Sequence, residues 1–292
     1  MSAQSIYKSE EGKRTILNHY ESYLSLLNVD FQRMYVETCF GSTHLLTTGP
    51  ADGKPLFILQ GGNCINPITL SWFSSLFGKY RIYAPDTIGH PGYSAETRVS
   101  AKDASYALWI SDIMNVLNIE KSAFVGPSYG AGIILRIAAH MPEKIACSVL
   151  VAPSGLQLGS KLIMIRKILL PMLLFKMNAS QKHLQGIADA MSFNSMKEID
   201  KQIIGDIFTH VKLEQNMPKL TEKRELLNYF SPTLVVAGQQ DIFFPDKKVI
   251  KKAKGIISNV ITTSYEMGHF PSEQYVKLMN EDIKAFLSEN YS

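Results

Sequence analysis

With 292 residues, 46% of them hydrophobic and 19% charged, the chain has enough apolar material for a sizeable buried core and too little charge for a disordered one. A formal net charge of only +4, with no basic run interleaved with aromatics, argues against nucleic acid as a partner. The three cysteines, Cys39, Cys64 and Cys147, fit neither a disulfide framework nor a metal site. The stretch MSAQSIYKSEEGKR lacks an apolar secretory segment. The most apolar window, Leu162 to Met177, is short and broken by Arg166, Lys167 and Pro171, so a cytoplasmic protein without a membrane span is expected.

Taken in order, Glu10 to Leu27 places Ile16, Leu17, Tyr20, Tyr23, Leu24 and Leu27 at helical spacing and predicts an N-terminal helical arm across the core. Met34 to Phe40 and Thr43 to Thr48, around Gly41 and Ser42, predict an antiparallel hairpin. Lys54 to Leu59 and Tyr80 to Ala84 predict buried strands, the first running into the loop QGGN at Gln60 and the second into the turn-rich DTIGHPGYS from Asp86. Ala101 to Leu117 predicts an amphipathic helix with Ala104, Ala107, Leu108, Ile110, Ile113, Met114 and Leu117 on one face. Ala123 to Val125, Ala131 to Ala139 and Cys147 to Val151 then continue the alternation as strand, helix and strand, the pattern of a mostly parallel sheet flanked by helices.

That rhythm stops between Gly155 and Thr221, where successive helical segments hold six of the chain's twelve methionines, and the stretch reads as an inserted helical cap. The core resumes with strand Thr233 to Ala237, the Lys-rich helix Asp246 to Lys254, strand Val260 to Tyr265 and helix Ser272 to Leu287. The expected organisation is therefore a first core part over 1–154 with the arm, a cap over 155–221 and a second core part over 222–292.

Chemistry concentrates at three strand ends. In GPSYG, Ser128 falls between a buried strand and a helix, with Gly126 and Gly130 two residues to either side. This is the setting in which a serine hydroxyl is held on a sharp turn and exposed to a base. Asp241 follows the strand TLVVA, and His269 follows VITTSY. All three lie beyond the carboxyl edge of the sheet, where open parallel sheets place their ligand sites. An imidazole oriented by a carboxylate can take the serine proton and return it to a leaving group, which makes Ser128, His269 and Asp241 the candidate catalytic set. Asp246 precedes the Lys-rich helix and reads as its N-cap. Asp86 and His90 read as structural, and His19, His44, His140, His183 and His210 have no such context.

Five motifs, QGGN, DTIGHPGYS, GPSYG, GQQDIFFP and MGHFPSE, together resemble the α/β-hydrolase superfamily, in its capped carboxylesterase and C-C hydrolase branch, from about Phe40 onwards. The resemblance implies the α/β-hydrolase fold and an oxyanion hole made by the backbone N–H groups of Gly62 and Tyr129. Gln60 stands where such proteins usually have histidine before the loop glycines, and the turn after Asp86 is one residue longer than the common form.

A serine at the elbow points to an acyl-enzyme rather than the ester formed on a carboxylate. The expected function is hydrolysis of a small to medium apolar carboxylic ester, thioester or lactone. Asn63, Met172 and Met177 are expected to face that substrate, and no metal or organic cofactor is implied. Acyl transfer to another acceptor, C-C bond hydrolysis by the same residues, and ligand binding without turnover stay open as alternatives.

Overall fold

Side chains alternate between the two faces of a strand, and this alternation divides the core of the protein in two. In the computed structural model, which describes residues 5–291, Leu56, Ile58, Ala123, Val125, Val149, Leu234 and Val236 face one layer, with Ile16, Tyr20, Ile68, Phe73, Ile283 and Phe286. Phe57, Leu59, Phe124, Leu150, Val235 and Ala237 face the other, with Trp109, Ile110, Ile133, Ile137, Val249 and Ala253. The first layer is built by helices α1 (Glu10–Leu26), α2 (Asn66–Phe73) and α10 (Glu273–Asn290), the second by α3 (Ser105–Val116), α4 (Tyr129–His140) and α9 (Asp246–Ile256).

Among the described residues the sheet has eight strands: β1 (Gln32–Thr38), β2 (Gly41–Thr48), β3 (Pro55–Ile58), β4 (Arg81–Pro85), β5 (Ser122–Pro127), β6 (Ile145–Val151), β7 (Thr233–Gly238) and β8 (Val260–Tyr265). Their spatial order is β1-β2-β4-β3-β5-β6-β7-β8. Only β2 runs against its neighbours; the pairings from β4 through β8 are all parallel. The carboxyl ends of β5, β7 and β8 therefore open on one edge. Ser128 N–H donates to Val151 O, Ala152 N–H to Val236 O and Gln239 N–H to Tyr265 O, stepping along that edge.

Between β6 and β7 the chain leaves the sheet and forms α5 (Lys161–Met164), a π turn (Ile165–Leu169), α6 (Leu170–Asn178), α7 (Gln181–Ser192) and α8 (Glu198–His210). Ile168, Phe175, Leu184, Ile187, Ile204 and Phe208 give this insertion a small core of its own. The N-terminal arm clasps it: His19 Nε2 lies 2.6 Å from Asp206 Oδ2, and Tyr7 bridges Val211. The arm also reaches the sheet, since Tyr20 donates its hydroxyl to the buried Asp86 carboxylate at 2.8 Å, where His44, Asn66 and the Tyr93 N–H converge.

Three elements differ from the sequence expectation. Helix α3 begins at Ser105 rather than Ala101, because Asp103 Oδ1 accepts from both the N–H and the hydroxyl of Ser105 and turns the preceding residues away from helix. On that helix Leu108 faces outward rather than joining the buried stripe. Helix α2 has no counterpart in the sequence reading: seven of its eight residues are buried, so it lacks the one-sided stripe that reveals a surface helix. Finally, Pro245 caps α9, and Asp246 is the first helical residue rather than the cap.

Candidate active site

Ser128 occupies the corner between β5 and α4 with φ 50° and ψ −114°, a backbone conformation that residues other than glycine seldom adopt. Such strain persists only where its surroundings over-determine it. Here the Ser128 N–H donates to Val151 O, and its carbonyl accepts from Gly132 N–H, Ser154 N–H and Ser154 Oγ at 2.9–3.2 Å. The glycines flanking the corner are required by close approach. A Cβ on Gly126 would lie 2.7 Å from the Gly130 carbonyl carbon, and one on Gly130 would strike Leu59 O. The Ser128 hydroxyl itself makes no hydrogen bond among the described residues and is half-buried.

Asp241 and His269 are brought together. His269 Nδ1 lies 2.8 Å from Asp241 Oδ2, while Asp241 Oδ1 accepts from the N–H groups of Phe243 at 2.7 Å and Phe244 at 3.1 Å. Both residues are buried. A carboxylate held by two N–H donors has only acceptor capacity left, so Nδ1 is the donor, and a neutral ring keeps its lone pair on Nε2. The ring is packed by Phe243 at 4.8 Å and Phe244 at 5.4 Å between centroids. Phe270 N–H donates to Met191 O of the insertion, and the Phe270 ring meets Trp72 edge-on, which anchors the histidine loop on both sides. Asp246 has no bond to His269.

The loop after β3 is organised around Gln60. Its Nε2 donates to Cys64 O and Pro91 O and its Oε1 accepts from Thr87 N–H at 2.6 Å, so a buried amide ties this loop to the turn that follows β4. Gly61 N–H is taken by Thr69 Oγ1 and Asn63 N–H by His90 Nδ1. The Gly62 N–H between them, like that of Tyr129 at the start of α4, has no acceptor among the described residues. The Gly62 backbone sits so close to Tyr129 that a Cβ there would be 2.8 Å from the tyrosine Cβ. Burial, reinforced by the nearby Arg98, depresses His90 to about 3, so the imidazole stays neutral and can accept the Asn63 N–H.

The remaining sequence candidates lie as follows. The Asn63 amide is occupied by the insertion: Nδ2 donates to Glu214 O at 2.9 Å and Oδ1 accepts from Glu214 N–H at 2.7 Å. Met172 is half-buried against the core of the insertion, whereas Met177 is 80% exposed. Sequence reasoning gave no role to Gln60, Ser154 or Glu214. Glu214 in turn accepts from Arg98 and from Asn216 N–H. A cavity of about 500 Å³ lies between α2, α8 and α10, and its lining excludes Ser128, Asp241 and His269.

An eight-stranded sheet with this strand order, a strained serine at the β5 corner and an Asp–His pair beyond β7 and β8 defines an α/β hydrolase architecture. Residues 54–173 match the family model described as the alpha/beta hydrolase fold, and the chain has that fold. Two proteins of Bacillus subtilis (strain 168) are similar in sequence. The uncharacterized carboxylesterase nap is 33% identical over 141 residues, 47% of each chain. Carboxylesterase YbfK is 22% identical over 278 residues, 92% of each chain. The match thus spans about half the length of the first relative and most of the second. The crystal structure of naproxen esterase (carboxylesterase NP) from Bacillus subtilis superposes with a TM-score of 0.83 at 21% identity, over 96% of this chain and 99% of that one.

Proposed function

We propose that the protein is a serine carboxylesterase acting on small to medium apolar esters through an acyl-enzyme on Ser128. The observation that carries this reading is the strained Ser128 corner, a costly conformation held by three backbone hydrogen bonds and one from the Ser154 hydroxyl, on the same sheet edge as a buried His–Asp pair. In the acylation step the Ser128 oxygen bonds to the ester carbonyl carbon as its proton passes to His269 Nε2. Asp241 keeps the ring oriented and stabilises the imidazolium. The carbonyl oxygen, now negative, is received by the N–H groups of Gly62 and Tyr129. The C–O bond to the alcohol then breaks, and the alcohol leaves with the proton from His269. Water repeats the sequence in reverse roles, so that the acid is released and Ser128 regenerated.

Residues 155–221 serve in this reading as a cap between the core parts 1–154 and 222–292. Its helix α7 ends against the histidine loop, with Met191 O accepting from Phe270 N–H. The apolar flank of Met172, Phe243 and Phe270 suits an apolar acyl group. The similarity to the carboxylesterases YbfK and nap supports the same class of substrate. Hydrolysis of p-nitrophenyl butyrate by the purified protein tests the proposal. Ser128→Ala should keep the melting temperature and lose more than about a thousandfold in kcat. Residual activity above that level would rule out the covalent mechanism.

A further inference from the structure

The helix from Lys161 to Asn178, formed by α5, the π turn and α6, is apolar on both sides. Its inner side is accounted for: Ile168 and Phe175 are buried in the core of the insertion, with Met164 and Met172 partly buried beside them. Its outer side presents Leu162, Ile163, Ile165, Leu169, Leu170 and Leu173, each between 43% and 74% exposed. A helix on a globular surface ordinarily turns charged and polar residues outward, and a contiguous apolar outer face marks a contact.

The charges on the same helix identify what it contacts. Lys161, Arg166, Lys167 and Lys176 are all exposed, and none pairs with a carboxylate among the described residues. No Asp or Glu occurs anywhere between Glu143 and Asp189. This one helix therefore carries four cations and no anion in a chain whose whole formal charge is +4. A second copy of the protein is a poor occupant, because a two-fold contact would face these cations with their own duplicates. A surface of anionic headgroups over acyl chains satisfies both halves of the pattern, with exposed leucines entering the acyl boundary and the lysines and arginine meeting the headgroups.

We propose that the Lys161–Asn178 helix is a membrane-surface anchor that lies flat in the headgroup layer of an anionic bilayer. No helix among the described residues is long and apolar enough to cross a membrane, which agrees with attachment in the plane of the surface. The inference is independent of ester hydrolysis and stands whether or not Ser128 turns over substrate. If both readings hold, the anchor's inner face, sharing a cluster with Phe243 and Phe270, would set the candidate site beside the lipid.

Co-sedimentation with vesicles of phosphatidylglycerol and phosphatidylcholine, compared with phosphatidylcholine alone, tests this directly. The wild type should bind the anionic vesicles, prefer them to the neutral ones and be released as salt is raised. Arg166→Gln with Lys167→Gln should weaken partitioning roughly twenty-five-fold, at about fivefold per basic residue. Leu170→Asp with Leu173→Asp should abolish it while leaving the melting temperature unchanged, since both side chains are exposed. Lys247→Gln with Lys248→Gln on α9 should bind as the wild type does. Failure of the wild type to bind, equal binding to neutral vesicles, or binding that survives the leucine substitutions would each overturn the proposal. So would a stable dimer, seen by light scattering, that the leucine substitutions dissociate, because a second copy would then cover this face.

Discussion

Adjacent glycines in the QGGN loop offer a test with its own control. A methyl group on Gly61 would meet only Pro127 Cγ and Thr69 Oγ1, both at 3.8 Å, which is ordinary contact. The same methyl on Gly62 would lie 2.8 Å from Tyr129 Cβ and 3.1 Å from its Cγ and Cδ2. Carbon atoms pack at about 3.5–4.0 Å, so the loop must retreat from α4 by roughly 0.7 Å or more. On the proposed reading, the Gly62 N–H would then be drawn away from the oxygen it shares with the Tyr129 N–H. Losing one such donor typically costs about 2.7–4 kcal/mol of transition-state stabilisation, or roughly a hundred- to a thousandfold in kcat. Gly62→Ala is therefore expected to lower kcat on p-nitrophenyl butyrate by that factor with KM little changed, and Gly61→Ala to stay within about threefold of the wild type. Circular dichroism melts would confirm that both variants fold. Full activity in Gly62→Ala, or equal damage from Gly61→Ala, would refute the assignment of this loop as the oxyanion hole.

Asp241→Asn should lower kcat by up to about four orders of magnitude by favouring the wrong imidazole tautomer, and Asp246→Asn should change it little; the reverse ranking in the same assay would move the acid to Asp246. Glu225→Gln should destabilise the fold by about 3–5 kcal/mol in urea melts, because fully buried Arg136, 2.8 Å from Glu225, would lose its carboxylate partner. Burial alone would raise the Glu225 carboxyl, but bonds from Arg136, the Glu222 N–H and Lys219 hold it down at about 2. Its contribution is thus complete above the usual carboxylate range near 4.5 and is lost as pH falls towards 2, so Glu225→Gln should flatten that part of the acid-stability profile. On the ester reading, kcat/KM should rise from acetate to butyrate or hexanoate by up to about 0.8 kcal/mol per methylene. Met172→Trp should shift that optimum to shorter chains and Met177→Trp, at an exposed position, should not; a flat profile unaffected by either would separate the insertion from the substrate.

The parts of the fold that could be read directly were those whose burial is one-sided or whose turns need particular residues. The composition of Val260–Tyr265 bounds strand β8, and the glycines around Ser128, which leave no room for side chains, mark the corner. Helix α2 was hidden because the sheet, α1 and α10 surround it, leaving no polar face to set its period. The amide chemistry of the β3 loop was also hidden. Gln60 reads as a departure from the superfamily pattern, yet its three hydrogen bonds stitch the loop to Thr87 and Pro91, contacts that depend on tertiary distance rather than sequence spacing. Asn63 is expected from the sequence to face the substrate, and the bond that holds its amide, to a backbone 151 residues away, depends on tertiary distance that no spacing reveals. The outward leucines of α6 were visible only as part of an apolar window, since periodicity cannot say which side of an all-apolar helix is covered.

The bidentate grip of Asn63 on Glu214 has a mechanical corollary. The residue after Gly62 is fastened to the irregular segment that follows α8 by both amide atoms, and Tyr129 is fastened to the same segment through its hydroxyl and Asn216 O. On the proposed reading, the two N–H groups that would receive a developing oxyanion therefore hang from one tether. An insertion that swung outward to admit a ligand would either break three hydrogen bonds or draw Gly62 and Tyr129 with it. If the protein is the proposed esterase, closure over a bound ester and assembly of the anion-binding cradle would then be a single event, and the acyl-enzyme would form only in a site already shut against bulk water.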